Sequence, residues 1–200
     1  MTEVKRAGGH MEFEKKVVKN FEKRYDGNNL FSSSSDEEIE QLEQLVGKNV
    51  EKFINVYKKY QPCELPMLDC YVNLLGIDSI IVENVYAEPG KYLAKYGVYV
   101  FAVSVGGCMV CIDTNDVHNG HASVLIADSG FCFYNEQIDQ VEIVSAPEKV
   151  FNKLKDDEPL ILNYPNIKKS LYKIEKSFEK FMIKLSKNRY KDIEKYVDFD

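Results

Sequence analysis

The chain has 200 residues, of which 44% are hydrophobic and 29% are charged, and its formal net charge is -6. This length suits one domain with extensions or at most two small domains, and no apolar run reaches the roughly 18 residues that a membrane span needs. An odd number of cysteines, five, and an N-terminus without an apolar signal segment predict a cytoplasmic protein with free thiols rather than a disulfide framework.

Three helices are predicted in the first third of the chain. Hydrophobic residues three to four positions apart indicate a short helix over residues 12–24, followed by a serine-rich linker. Ser35 and Glu38 form a Ser-x-x-Glu capping box for a second helix that ends at Gly47. Asn49 is expected to cap a third helix, which a Gln-Pro pair ends.

The centre of the chain has the pattern of a β-sheet. Residues 71–75 predict a strand, and Asp78 is expected to cap a short helix over residues 80–85. The clearest signal covers residues 98–112, where two apolar strands flank Gly106-Gly107. Glycine adopts the positive φ angles of a tight turn, so this stretch predicts a buried hairpin at the centre of a sheet.

Further strands are expected after this hairpin. Residues 115–120 are polar and predict a loop. Residues 122–127 and 131–134 then predict two strands that flank the Asp-Ser-Gly turn at 128–130, the pattern of a second hairpin. Residues 140–144 predict one more strand.

Two helices are predicted at the C-terminal end. Ser145 begins the first, which runs to about Lys155. The second is a long helix over residues 165–185, whose apolar residues form a single stripe that needs a partner. The stripe consists of Ile167, Leu171, Ile174, Phe178, Phe181, Met182 and Leu185. It can pack on its own domain or mediate self-association, and the sequence leaves both open.

Charge is distributed unevenly along the chain. Residues 1–35 carry a net charge of +2, residues 36–159 a net charge of -12, and residues 160–200 a net charge of +4. The acidic middle segment repels nucleic acid and anionic lipid, so neither nucleic acid nor a membrane is an expected partner. It favours a cationic protein, although an acidic surface can also serve solubility alone.

Two groups of cysteine and histidine residues could form a metal site or a catalytic site, and the sequence favours neither. Cys108 and Cys111 followed by His118 and His121 resemble a zinc site. Residues three apart on a strand point to opposite faces, however, so no metal is predicted and this set stays an alternative. No phosphate-binding glycine loop occurs, and no cofactor is expected.

A thiol enzyme is the other catalytic alternative. It would pair Cys108 or Cys132 as nucleophile with His118 or His121 as base, oriented by Asp113. Nothing in the sequence marks either cysteine as exposed or activated, so no catalytic residue is assigned.

The order of elements over residues 35–155 resembles the SUKH superfamily, the Smi-Knr type domain. The similarity is carried by a helix ending in glycine at 39–47, by the Phe-Ala, Gly-Gly and final Asp of 100–113, and by 123–130 and 141–154. The chain departs from the family where a Leu-Pro and a second Gly-Gly usually stand, since it has Asn-Val and Gln-Pro there.

The resemblance implies an α+β domain with a bent, mainly antiparallel sheet and helices packed against it. It divides the chain into an N-terminal extension (1–34), the SUKH-like domain (35–157) and a helical C-terminal extension (158–200). The family is not known for catalysis. Its bacterial members are mostly immunity proteins that neutralise polymorphic toxins, many of which are nucleases.

Charge and resemblance together predict a non-catalytic immunity protein, an antitoxin, that binds a cationic toxin through an acidic surface. We expect the partner-binding residues to include Asp113, Asp116, Asp128, Glu136 and Asp139. The alternative is a structural adaptor that binds a different protein through its C-terminal helix.

Overall fold

The computed structural model describes residues 13–26, 29–155 and 158–197. The helices are α1 Phe13–Glu22, α2 Asp36–Val46, α3 Glu51–Tyr60, α4 Ile77–Val85, α5 Gly90–Ala94, α6 Glu148–Phe151, α7 Tyr164–Ser170 and α8 Phe178–Ser186, with 3-10 turns at Lys48–Val50 and Glu194–Tyr196. The strands are β1 Phe31–Ser32, β2 Gln61–Pro62, β3 Val72–Leu74, β4 Val98–Ser104, β5 Met109–His118, β6 His121–Ala127, β7 Cys132–Asn135, β8 Gln140–Ile143 and β9 Tyr172–Glu175. The predicted α+β class is confirmed.

A five-stranded sheet in the order β3-β4-β5-β6-β9 organises the molecule, and every neighbouring pair in it is antiparallel. The predicted central hairpin is confirmed, because β4 and β5 pair across Gly106-Gly107 and Gly107 has a φ of 85°. Two small sheets, β1–β2 and β7–β8, lie outside the main one.

One hydrophobic core joins the helices to the sheet. Four phenylalanines meet at its centre, with ring centroids 5.1–5.8 Å apart and mostly edge-to-face. They are Phe53 of α3, Phe101 of β4, and Phe178 and Phe181 of α8. The same core includes Val17 and Phe21 of α1. Segments from both ends of the chain therefore contribute to one core, while the proposed domain boundaries themselves stay a prediction.

The predicted long C-terminal helix over 165–185 is wrong. Helix α7 ends at Ser170, β9 then pairs with β6, and α8 begins only after Ser177, whose side chain accepts a hydrogen bond from the Lys180 amide. The open edge of β6 offers hydrogen-bond donors and acceptors to residues 172–175, so tertiary pairing overrides the helical spacing.

This break also decides where the apolar stripe lies. Phe178, Phe181, Met182 and Leu185 are all buried in the core, so α8 has no apolar stripe at the surface. Self-association through a 165–185 helix was predicted from an exposed apolar stripe, and the structure has no such stripe on α8.

Two β-region predictions also need correction. The loop expected over 115–120 is largely strand, because β5 continues to His118 and turns at Asn119-Gly120, both with positive φ. The hairpin expected around 128–130 is absent from the described residues, since β7 pairs with β8 and β6 pairs with β9.

One predicted helix start is confirmed, and three others differ from the prediction. The capping box of Ser35 and Glu38 is confirmed, with both reciprocal hydrogen bonds present. Asn49 does not cap α3 and instead donates from its side chain to the Thr114 carbonyl. Helix α4 follows Gly76 rather than Asp78, and α6 follows Pro147 and ends earlier than predicted.

Among the described residues, no helix combines the length and hydropathy needed to cross a lipid bilayer.

Candidate functional site

A bulge in β5 positions two of the five predicted carboxylates. Asp113 pairs with Ser123 of β6, but the next pair is Val117 with Ala122, so residues 114–116 bulge out of the ladder. Bulges re-aim side chains and are common near functional sites. Here the bulge directs Asp116 toward Ser123, whose hydroxyl donates to the carboxylate at 2.9 Å.

Asp113 is not at the surface. Its side chain has no solvent exposure, and its carboxylate accepts hydrogen bonds from the Tyr164 hydroxyl at 3.0 Å, the Asn115 amide at 3.0 Å and the Lys168 ammonium at 3.4 Å. A buried carboxylate is tolerated only when it is paired and hydrogen-bonded in this way. Asp113 is therefore unavailable to a partner, which corrects its predicted place on a binding surface.

Asp116 is also engaged by cations from the same chain. It binds the ammonium groups of Lys168, at 3.2 Å, and Lys173, and it lies 3.2 Å from His118 Nε2. The hydrogen bond from Lys173, with those from Ser123 and Lys168, lowers the pKa of Asp116 despite partial burial. The carboxylate is therefore ionised and largely neutralised by its neighbours.

We call Asp113, Asp116, Tyr164, Lys168 and Lys173 the bulge network. Burial opposes the charge on Lys168, but its bonds to Asp116 and Asp113 outweigh that effect and raise its pKa. Burial and then Asp113 raise the pKa of Tyr164. Each charged group in the bulge network is paired with a group of opposite charge. The network therefore stabilises the packing of α7 and the pairing of β9 against the sheet.

The other three predicted carboxylates lie elsewhere. Asp128 lies five residues beyond Ser123, the partner of Asp113, which at about 3.3 Å per residue places it on the order of 16 Å away along β6. Its carboxylate accepts from the Gly130 amide within a turn. Glu136 and Asp139 are exposed in the β7–β8 turn. The five carboxylates therefore do not form one surface.

The β7–β8 hairpin combines exposed apolar and acidic groups. Phe133, Tyr134 and Ile138 have exposed fractions of 43%, 44% and 36%, and Glu136 and Asp139 lie between and beside them. The Tyr134 hydroxyl donates to Asp139, a bond that raises the pKa of Tyr134. Phe133 and Tyr134 are adjacent on β7 and point to opposite sides of the strand pair. We call the exposed surface that these five residues form around both sides of the hairpin the hairpin face.

Sequence reasoning found the carboxylates of the hairpin face but not its apolar members. A signal was present, because adjacent aromatic residues on one strand point to opposite sides and cannot both enter the same core. Phe133 and Tyr134 are such a pair. The sequence also has no lysine or arginine between residues 96 and 148. The acidic groups of the hairpin therefore have no basic residue near them in the sequence.

A cavity of about 290 Å³ lies beside the hairpin face. Tyr92, Lys95 and Tyr96 line it from the α5 region, and Tyr134 and Asp139 line it from the hairpin. The hairpin lies close enough to the segment before α5 for Glu88 to affect Cys132 of β7. Burial first, and then the charge of Glu88, raise the pKa of Cys132 to about 12.

The structure separates the residues of the zinc alternative. Cys108 precedes β5 and His118 ends it. The β6 partners of Met109 and His118 are Ala127 and His121, six positions apart, so the two ends of β5 lie on the order of 20 Å apart at about 3.3 Å per residue. Cys111 is fully buried, whereas the His118 side chain is 76% exposed. Within the described ranges, no three His, Cys, Asp or Glu side chains are grouped to hold a metal ion.

The thiol alternative finds little support in the geometry. Cys108 and Cys132 are buried, and burial is the main cause that raises the pKa of each thiol. A raised pKa disfavours the thiolate that acts as nucleophile. His121 pairs with Glu179 at 3.1 Å, and His118 pairs with Asp116, so the structure shows neither histidine bonded to a cysteine.

Comparison with known proteins adds no relative: no family model, no curated protein and no solved structure matches the chain.

Proposed function

We propose that this protein is a non-catalytic protein-binding domain that binds a cationic protein through the hairpin face. The observation that carries the proposal is the exposure of Phe133, Tyr134 and Ile138 on a two-stranded hairpin that also presents Glu136 and Asp139. Exposed apolar patches with a polar rim are typical of interaction sites, and aromatic anchors supply most binding energy at such sites.

Electrostatics supports a positively charged partner. Glu136 and Asp139 form no ion pair with another described residue, in contrast to Asp113 and Asp116. Unpaired acidic groups on an interaction surface speed encounter with a cationic protein and reject an anionic one. The adjoining cavity lined by Tyr92, Tyr96 and Tyr134 gives a partner side chain a place to insert.

The resemblance to the SUKH superfamily narrows this proposal to an immunity protein that neutralises a cognate toxin. A nuclease toxin has a cationic substrate cleft, and an acidic hairpin can occupy such a cleft in place of phosphate. In that role, the hairpin face inhibits by covering the cleft and performs no chemistry itself.

The adaptor alternative has less to rest on. It uses the apolar stripe of the C-terminal helix, and the α8 members of that stripe are buried. An adaptor would therefore have to open the core in order to bind.

The test is to express the open reading frame that neighbours the gene, alone and together with this protein. We expect a growth defect that this protein relieves, and a direct complex of the two purified proteins. In that complex, Glu136→Lys with Asp139→Lys should slow association about tenfold or more and flatten its salt dependence.

Asp113 and Asp116 are not suitable for the same series, because their substitution would disturb the fold. Glu37→Lys with Glu40→Lys is the matched control, since these exposed acidic residues lie on α2. An association rate that is unchanged by the hairpin substitutions, or slowed equally by the α2 substitutions, would reject the hairpin face as the binding site.

A further inference from the structure

A second cavity, of about 490 Å³, lies between α6 and α7. Its volume falls within the range of about 300–1,000 Å³ that is typical of small-molecule sites. It is separate from the hairpin face and shares no lining residue with the smaller cavity: Leu160 lines this one, whereas Ile161 and Leu162 line the smaller one. We call it the α6–α7 pocket.

The rim of the pocket is strongly basic. Lys149 and Lys153 line it from α6 and the turn that follows, and Lys168 and Lys169 line it from α7. No carboxylate is among the described lining residues. Lys168 is already balanced by the bulge network, so the uncompensated charge comes from the other three lysines.

The other three lysines of the rim form no ion pair within the described part of the chain. Lys149 and Lys153 stand four residues apart across the end of α6, a spacing at which like charges repel. Neither forms an ion pair with another described residue, and neither does Lys169. Of the described carboxylates nearest to them in the sequence, Glu148 accepts a hydrogen bond from Asn152, and Glu158 accepts one from the Lys155 amide.

The floor of the pocket is apolar. Val150 and Leu160 line it, and both are otherwise buried members of the hydrophobic core. A bare inorganic ion would meet the lysines but leave this floor uncovered. A ligand with an apolar body covers it and gains free energy mainly by removing its own apolar surface, and that of the partly exposed Leu154 in the same lining, from water.

We propose that the α6–α7 pocket binds a small organic anion whose apolar body rests on Val150 and Leu160 and whose anionic group contacts Lys149, Lys153 and Lys169. The three ammonium groups are point charges that accept phosphate, sulfonate or carboxylate oxygens alike, so the chemistry of the ligand is that of an amphipathic anion. This site does not depend on the proposed protein-binding function.

The test uses 1-anilinonaphthalene-8-sulfonate, an aromatic body with one sulfonate group, titrated into the full chain at low salt. We expect saturable one-site binding with a Kd of about 100 µM or tighter. Lys153→Glu and Lys169→Glu should each weaken binding about tenfold. Inorganic phosphate should bind at least about tenfold more weakly than the dye, because it lacks an apolar body.

Two control variants locate the bound dye. Lys176→Glu with Lys180→Glu changes equally exposed lysines near β9 and should leave the Kd unchanged. Phe133→Ser tests whether the dye sits on the hairpin face instead. The proposal is wrong if binding does not saturate, if the β9-side lysines matter as much as Lys153 and Lys169, if only Phe133→Ser weakens binding, or if phosphate competes as well as the dye.

Discussion

The bulge network and the hairpin face contain the same acidic residue types in opposite circumstances. Asp113 and Asp116 are surrounded by Lys168, Lys173 and Tyr164, which neutralise them and join α7 and β9 to the sheet. Glu136 and Asp139 are exposed and form no ion pair with a described residue, although Lys95 lines the same cavity as Asp139. The comparison shows that the net charge of one segment of the sequence overstates its acidic surface. Two of its carboxylates are neutralised in the fold by lysines from another segment.

The largest expected difference between the two regions is in stability. Asp113→Asn keeps the side-chain shape but leaves Lys168 without one of its two anions and Tyr164 without an ionised acceptor. Removing one member of a buried pair costs about 3 kcal/mol. We therefore expect a loss near that value in urea unfolding at neutral pH.

Asp139→Asn is the matched control from the hairpin face, and its effect should stay within about 0.5 kcal/mol, as for most surface substitutions. Equal losses for the two variants would show that burial of the Asp113 carboxylate does not distinguish the regions. The slope of the unfolding transition must stay the same for both variants, so that the comparison concerns stability alone.

A second test separates the regions by their response to acid. The folded-state pKa of Asp116 is lowered mainly by Lys173, so the unfolded state binds the proton first as pH falls. The stability contributed by this carboxylate is complete above its unfolded pKa of about 3.9 and is lost progressively below it. We expect a loss on the order of 2 kcal/mol between about pH 4 and pH 2 that is missing in Asp116→Asn.

Measuring unfolding free energy against pH for both proteins isolates the effect, because every other carboxylate contributes to both curves. Two parallel curves would mean that Lys168 and Lys173 do not stabilise the ionised form of Asp116 in the folded protein.

Local sequence signals predicted the elements whose determinants are themselves local. The capping box at Ser35 and Glu38 and the turn at Gly106-Gly107 were found because a few adjacent residues specify each of them. The burial of Asp113 could not be found in this way. It depends on Tyr164 and Lys168, which lie 51 and 55 residues further along the chain.

The C-terminal segment shows the same limit. Apolar residues at 167, 171, 174 and 178 satisfy a helical period, yet residues 172–175 form a strand. What decides between the two is the unpaired edge of β6, which exists only once the sheet has formed. The hairpin face is an intermediate case. Its acidic residues are predicted from the sequence, but the exposure of its apolar residues is established only by the structure.

The third test concerns binding at the hairpin face. Phe133→Ser should weaken the complex with the proposed cationic partner by about tenfold or more, because aromatic anchors usually dominate interface energies. Its effect on the free energy of unfolding should be within about 0.5 kcal/mol, since Phe133 is 43% exposed and lies outside the buried core.

Met67→Ser is the control for this experiment, because Met67 is comparably exposed but lies in the connection between β2 and β3. If both substitutions weaken the complex equally, or if Phe133→Ser unfolds the protein, the exposed ring is not a specific anchor for a partner.

The smallest expected effect concerns His121, where α1 and α8 meet the β5–β6 turn. Its ring packs edge-on against Phe13, its Nε2 lies 3.1 Å from Glu179, and its Nδ1 is buried without a hydrogen-bond partner in the described structure. Burial, assisted by Lys52, lowers the pKa of His121 against the opposing effect of Glu179 and Glu14. The unfolded chain therefore binds this proton first, and stability falls as pH drops through about 6.5. We expect a loss below about 1 kcal/mol between pH 7.5 and pH 5.5 that His121→Phe removes while keeping the contact with Phe13. The same loss in His121→Phe would assign the pH dependence to another group.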